Sequence, residues 1–216
     1  MAVQPGHRRL GPARSRILLR TFRDGLAAQA GHDLTIEVAR WSGELTLAGD
    51  LSPTGLTVTA DLGSLTVLDG TGGVKPLTDR DRREIAVTAR KTLSADRYPE
   101  ATFTAAEFAP GPDGGGTVTG TLALAGASRP LRLDVRPAGP DRYRVTATVV
   151  QSEYGIKPYR AFMGALRVRD AVDLEADVDL SEAGVDLSEA GAGPGEAGAG
   201  PGDAGQRGSP DRGSSG

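Results

Sequence analysis

Apolar and polar side chains alternate along most of the middle of the chain. Leu56, Val58, Ala60 and Leu62 fall on one side of a run whose Thr57, Thr59 and Asp61 fall on the other. The same period of two sets Leu131, Leu133 and Val135 against Arg132, Asp134 and Arg136, and Tyr143, Val145, Ala147 and Val149 against Arg144, Thr146 and Thr148. Leu166, Val168, Val172 and Leu174 share a face that continues through Ala176 to Val178, and weaker versions run over 16–23, 33–41, 43–50, 101–108 and 117–125. Successive side chains of a strand point to opposite faces. The pattern therefore predicts about nine strands, each with one wet and one buried face, as in antiparallel sheets.

Two stretches break the alternation. Thr78, with Asp81 three residues on, forms a capping-box signal shortened by the use of Asp for Glu, and Ile85, Ala89 and Leu93 then recur at helical spacing. One helix is expected there, with a shorter helical turn over Gly25 to Ala30. Strands that each bury one face must stack or close, and closure removes exposed edges. The expected fold class is all-β, an antiparallel barrel of about eight strands with one helix packed outside; a barrel of that size can hold one small ligand.

The second break lies within Gln151 to Leu174, where Tyr154, Ile156, Lys157, Pro158, Tyr159, Arg160, Phe162 and Met163 crowd into one connection. A simple turn would be built of Gly, Asn, Asp or Ser. Bulky apolar groups mixed with cations read either as a lid over a cavity or as a plug that seals one barrel end. As a lid, Tyr154, Ile156, Tyr159, Phe162 and Met163 point partly into the barrel and Lys157 or Arg160 lies at its mouth. Pro158 holds Lys157 extended, while Gly155 and Gly164 supply the bends.

Composition narrows the function classes. The 216 residues contain no Cys, which removes disulfides, thiolate metal sites and thiol nucleophiles. The net charge is −3. Residues 181–216 hold six acids against two arginines, a net −4 that leaves +1 elsewhere, so nothing supplies the basic excess that nucleic acid requires. That stretch repeats DLSEAG and continues as Gly, Ala, Pro and acids, a composition expected to be disordered. Residues 1–15, rich in Pro, Gly and Arg, are expected to be a flexible leader, with the barrel domain over 16–180. There is no run of 18 apolar residues to form a transmembrane segment, and Ile17-Leu18-Leu19 is too short for a secretory core. A cytoplasmic location is the expectation.

Candidate chemistry is sparse. His32 is one of two histidines, and with no Cys it lacks partners for a common zinc set. Its GHD context suits either ligand contact or hydrogen bonding at the cavity mouth. Lys75 and Lys157 occur in the near-copies VKP and IKP, as exposed loop lysines or as a cationic rim for an anionic head group. Arg160, between Tyr159 and Phe162, can stack on an aromatic face. Gly70 to Val74 lacks the Lys-Ser/Thr of a phosphate loop and reads as a flexible loop, and no GxSxG, HExxH or dinucleotide fingerprint is present.

Four segments in order resemble the YceI-like family of lipocalin-like bacterial barrels: RTFRDGLAAQAGHDLTIEVARWSGEL with His32 in the histidine position, LSADRYPEATFTAAEF, VTGTLALAGASRPLRL, and Tyr154-Gly155-Ile156 followed by RVRDAVDLEADV. The resemblance runs from about Ile17 to Val178. It implies a long cavity that binds polyisoprenoid or related amphiphilic lipids without catalysis or cofactor. Phe103, Leu122, Leu133, Val145, Val149 and Val168 are the candidate walls. The contacts expected are His32, Tyr154, Ile156, Lys157, Tyr159, Arg160, Phe162 and Met163, with no metal. A homodimer is an open option. Two alternatives stand beside this reading: an enzyme using His32 with Lys157 or Arg160 at the mouth, and a stress-related scaffold acting through the acidic tail.

Overall fold

The alternation becomes one long antiparallel ladder in the computed structural model, which describes residues 4–181. The strands are β1 (Gly6–Leu10), β2 (Arg16–Thr21), β3 (Arg23–Asp24), β4 (His32–Val38), β5 (Trp41–Leu47), β6 (Pro53–Asp61) and β7 (Leu65–Gly72). After helix α1 (Asp79–Thr92) come β8 (Glu100–Pro110), β9 (Gly116–Leu124), β10 (Ala127–Gly139), β11 (Arg142–Val150), β12 (Arg160–Ala161), β13 (Leu166–Val168) and β14 (Ala171–Asp179). Eleven of them form a single curled sheet in the order β1-β5-β6-β8-β9-β10-β11-β14-β2-β4-β7, and β12-β13-β3 form a second, small one. The lipocalin-like barrel architecture is as expected; the strand count is higher because β1 and β7 also join the main sheet and three short segments pair among themselves.

One of the added strands falls where composition pointed elsewhere. The segment read as a flexible leader contains β1, which pairs with β5 from Gly6↔Leu47 to Leu10↔Gly43. Its Arg8 is buried and donates from Nη2 to the Gln4 carbonyl at 2.8 Å. An edge strand needs only one ladder partner and little apolar surface, so a Pro/Gly/Arg-rich composition does not forbid it. The expected tail covers residues 181–216, of which 182–216 lie outside the described residues.

α1 starts as its sequence dictates. Thr78 Oγ1 accepts from the Asp81 amide at 3.2 Å, and the Asp81 carboxylate accepts from the Thr78 amide at 2.9 Å, so even the shortened capping box closes in both directions. The Thr78 hydroxyl also donates to the Asp81 carboxylate at 2.7 Å, and this bond, followed by that from the Thr78 amide, holds the Asp81 carboxyl below its ordinary range. The expected short helical turn is a 3₁₀ turn over Ala28–Ala30.

Inward faces of the strands build two apolar clusters. Ile17, Ile36, Val38, Trp41, Leu65 and Val67 belong to the first, and Phe103, Val118, Leu122, Leu131, Leu133, Val149, Tyr154 and Ile156 to the second. Yet among the described residues no large side chain reaches full burial, and even Leu65 and Ile36 keep 3% and 4% exposure. Close-packed interiors do not leave such residues touched by solvent-sized space. This interior is hollow.

Candidate functional site: an apolar cavity with a charged mouth

The hollow is a cavity of about 580 Å³, within the span of roughly 300–1,000 Å³ typical of small-molecule sites. Its wall is almost wholly hydrocarbon: Ile17, Leu19 and Leu34 from β2 and β4, Val58 and Ala60 from β6, Phe103 and Leu122 from β8 and β9, Val149 from β11, and Val172 and Leu174 from β14. α1 contributes Ile85, Ala89 and Leu93, so the helix that packs against the sheet also forms part of the cavity wall. One polar atom stands out within this lining. Thr21 Oγ1 is buried and has no hydrogen-bond partner among the described residues, the kind of unmet demand a ligand oxygen would satisfy.

Charge collects where three connections meet. β3 pairs with β13, placing Arg23 opposite Val168 and Asp24 opposite Arg167. The Ala27 amide donates to the Ala165 carbonyl at 2.8 Å, which ties the 25–31 loop to the 162–165 turn. Arg23 reaches across both neighbouring elements: its backbone amide donates to Asp33 at 2.8 Å and its Nη1 to the Gly31 carbonyl at 2.9 Å and the Thr71 carbonyl at 3.4 Å. Arg23, His32, Lys75, Asp81, Glu84 and Arg167 all line this end. Asp24 is held below its ordinary range, chiefly by a backbone hydrogen bond from Gly25 and further by Arg167, whose Nη2 donates to it at 2.9 Å.

His32 sits in this rim with its Nε2 2.9 Å from the Lys75 carbonyl oxygen. A carbonyl can only accept, so the proton is on Nε2 and that nitrogen has no lone pair to offer a metal or a substrate. Among the described residues, no three His, Asp or Glu side chains cluster to hold a metal ion.

The Gly-rich stretch at the end of β7 proves to be steric rather than merely flexible. Gly72 and Gly73 have φ of +80° and +74°, and a Cβ would collide with the Arg23 guanidinium at the first and with the His32 imidazole at the second. The loop lies tight against the rim at two positions whose left-handed backbone suits glycine, and any added side chain would have to push the Arg23 or His32 tip aside. Gly73→Ala should therefore cost about 1–2 kcal/mol from the left-handed backbone alone and more from the clash. His32→Ala should restore the clash component but not the backbone component. Urea denaturation of the two single variants and the double variant checks this; strictly additive losses would mean the imidazole is not in the way.

Of the residues expected at the site, His32, Phe103, Leu122, Val149, Ile156, Tyr159 and Val168 line the cavity. Val145, Leu133 and Tyr154 do not, although Leu133 and Tyr154 share the second cluster with four of these and Val145 lies against both clusters. Burial raises the Tyr154 phenol above its ordinary value, with Glu153 adding to the effect. Lys157 and Arg160 are exposed and do not line the cavity. Phe162 and Met163, expected to point inward, point out, with 66% and 100% exposure. The reason is local. β12 and β13 make a hairpin of their own, and its tip turns through consecutive left-handed residues, Phe162 (φ 51°) and Met163 (φ 56°), which throws both side chains to solvent. The 151–168 connection thus divides: Ile156, Tyr159, Leu166 and Val168 close the cavity, and the hairpin tip does not. Arg23, Lys75, Leu77, the α1 face and Arg167 are lining residues that alternation alone could not mark.

The comparisons with known proteins agree with this fold. The YceI-like domain pattern matches residues 9–180. The crystal structure of Burkholderia cenocepacia BcnA superposes with a TM-score of 0.54 at 16% identity, covering 78% of this chain and 98% of that one. A mutant Campylobacter jejuni YceI protein with a monobromobimane guest gives 0.51 at 17% identity, covering 66% and 81%. No curated protein matches the chain. At such identities the structures speak for the fold, and the domain match over nearly the whole described chain decides the family. The chain is a member of the YceI-like family, barrel proteins that bind hydrophobic ligands.

Proposed function

We propose that this chain is a non-catalytic binding protein that encloses one long-chain amphiphile, isoprenoid or fatty, with its polar end among Arg23, His32, Lys75 and Arg167. The observation that carries the reading is the contrast between a hydrocarbon-walled cavity of about 580 Å³ and its single charged rim. At about 25 cal/mol per Å² of apolar surface removed from water, an extended chain gains several kcal/mol beyond the cost of immobilising it. The unpartnered Thr21 hydroxyl inside the wall favours a ligand carrying an oxygen over a pure hydrocarbon. The non-catalytic side of the reading is supported by the rim itself. His32 gives its Nε2 proton to a backbone carbonyl, and Asp33 and Asp24 are engaged by Arg23 and Arg167.

Native mass spectrometry of the protein purified from its own source, followed by solvent extraction, should show one co-bound lipid per chain. Protein that is always empty, and that takes up no prenol or fatty acid when offered, would sink the proposal.

A further inference from the structure

We propose that the cavity mouth is also a docking surface for an anionic lipid bilayer. Five of the seven exposed large hydrophobic side chains among the described residues lie on the connections that form this mouth: Leu26 at 101%, Val74 at 85%, Tyr159 at 45%, Phe162 at 66% and Met163 at 100%. Scattered exposed apolar groups need no explanation, but a group gathered on adjacent loops does. Their adjacency is fixed by contacts already described. Leu26 precedes the residue whose amide bonds to Ala165, beside the Phe162–Met163 tip, and Val74 stands between Gly73, which lies against His32, and Lys75, whose carbonyl binds that histidine.

The second observation is charge. From Tyr154 to Arg169 the chain carries Lys157, Arg160, Arg167 and Arg169 and no acid. Arg160 and Arg167 face each other directly across the β12–β13 ladder, a pairing of like charges that is unfavourable unless an anion lies between or beside them. Arg167 has Asp24; Lys157 and Arg160 have no partner among the described residues. Apolar tips flanked by unpaired cations suit the interface of a bilayer that contains anionic lipid, where the tips enter the acyl boundary and the cations meet phosphate. The left-handed backbone at Phe162 and Met163 is costly for such residues, and it holds both side chains outward, where a folded core would have drawn them in.

The test exploits the absence of cysteine. Full-length Met163→Cys, labelled with an environment-sensitive NBD dye, is mixed with phosphatidylcholine vesicles with and without phosphatidylglycerol. A Thr146→Cys label on the exposed outer face of β11 serves as control. The docking surface predicts a blue shift at position 163, none at 146, and only with phosphatidylglycerol present. Lys157→Gln with Arg160→Gln should weaken vesicle affinity about 25-fold, roughly fivefold for each cation, and raised salt should do the same. Phe162→Ser with Met163→Ser should abolish the shift, read from a Leu26→Cys label, without lowering Tm, since both side chains are outside the core. No shift at 163, or equal shifts with neutral vesicles, overturns the proposal. So does a vesicle-independent dimer that the Phe162→Ser, Met163→Ser variant dissolves, because the patch is then a contact between two copies. The result is independent of cavity loading: a protein that carries lipid yet ignores vesicles would defeat this inference and leave the ligand reading intact.

Discussion

Ala89→Trp should strip the protein of its ligand while leaving the fold standing. Ala89 lies on the face of α1 that forms one wall of the cavity, one turn beyond Ile85 and one before Leu93. An indole placed there projects into the 580 Å³ that an enclosed chain would occupy. Displacing three or four methylenes at about 0.8 kcal/mol each removes close to 3 kcal/mol, a loss of about 100-fold in affinity. The fold has little reason to object. The helix keeps its capping box, the propensity cost of Trp for Ala is below about 1 kcal/mol, and although Ala89 touches the first cluster it also borders the cavity, which offers the indole room. Lipid titration monitored by native mass spectrometry, with thermal unfolding alongside, separates the two effects. Unchanged loading would mean that the ligand does not occupy the space beside α1.

How much of this cavity was legible in the sequence depended on what each residue type can signal. Period-two alternation marked Phe103, Leu122, Val149 and Val168 as inward, and they are. It could not tell a wall from a packed layer, since both lie on the same face of a strand. Leu133 and Val145 therefore alternate like wall residues and yet pack against neighbouring side chains. The helix carried the mirror of this ambiguity. Ile85, Ala89 and Leu93 showed that α1 buries one face, as any surface helix does, but not that the buried face meets empty space.

The connection from Gln151 to Val168 shows a different limit. From the sequence its aromatic and cationic residues form one unit, because hydrophobic side chains are expected to bury together. The backbone divides them. Gly155, at φ 71°, ends a 3₁₀ turn over Gln151–Tyr154 and directs Ile156 inward, while the β12–β13 tip directs Phe162 and Met163 outward. Gly164 marks a bend there, but two consecutive left-handed residues without glycine, at Phe162 and Met163, are not a choice that composition predicts. Gly72 and Gly73 carried the opposite kind of message. Read as flexibility, they are contact positions whose missing Cβ atoms admit Arg23 and His32, and only the packed neighbours reveal that.

The largest expected loss of stability comes from one methyl group, in Gly120→Ala. Gly120 is buried in β9, paired with Leu131 on one side and with Ala105 on the other, at the place where the β8 register shifts between Ala105 and Glu107. A Cβ there would overlap the Thr104 carbonyl oxygen and come within 2.7 Å of Phe103 Cζ. The phenyl ring could swing away, but the carbonyl belongs to a neighbouring strand and can move only if the ladder moves with it. Overpacking typically costs about 1–3 kcal/mol, and an unyielding backbone atom places this case at or above the upper end. For a domain of this length, about 3 kcal/mol corresponds to a fall in Tm of roughly 6–12 °C. Gly49→Ala provides the control, because a Cβ at Gly49 meets nothing within 4 Å and should leave Tm unchanged or slightly raised. Adding Phe103→Ala to Gly120→Ala should give no rescue, since the Thr104 oxygen remains and the phenyl side of the cavity wall is lost as well. Recovery of stability in that double variant would show that the ring, not the backbone of β8, is what excludes a side chain at position 120.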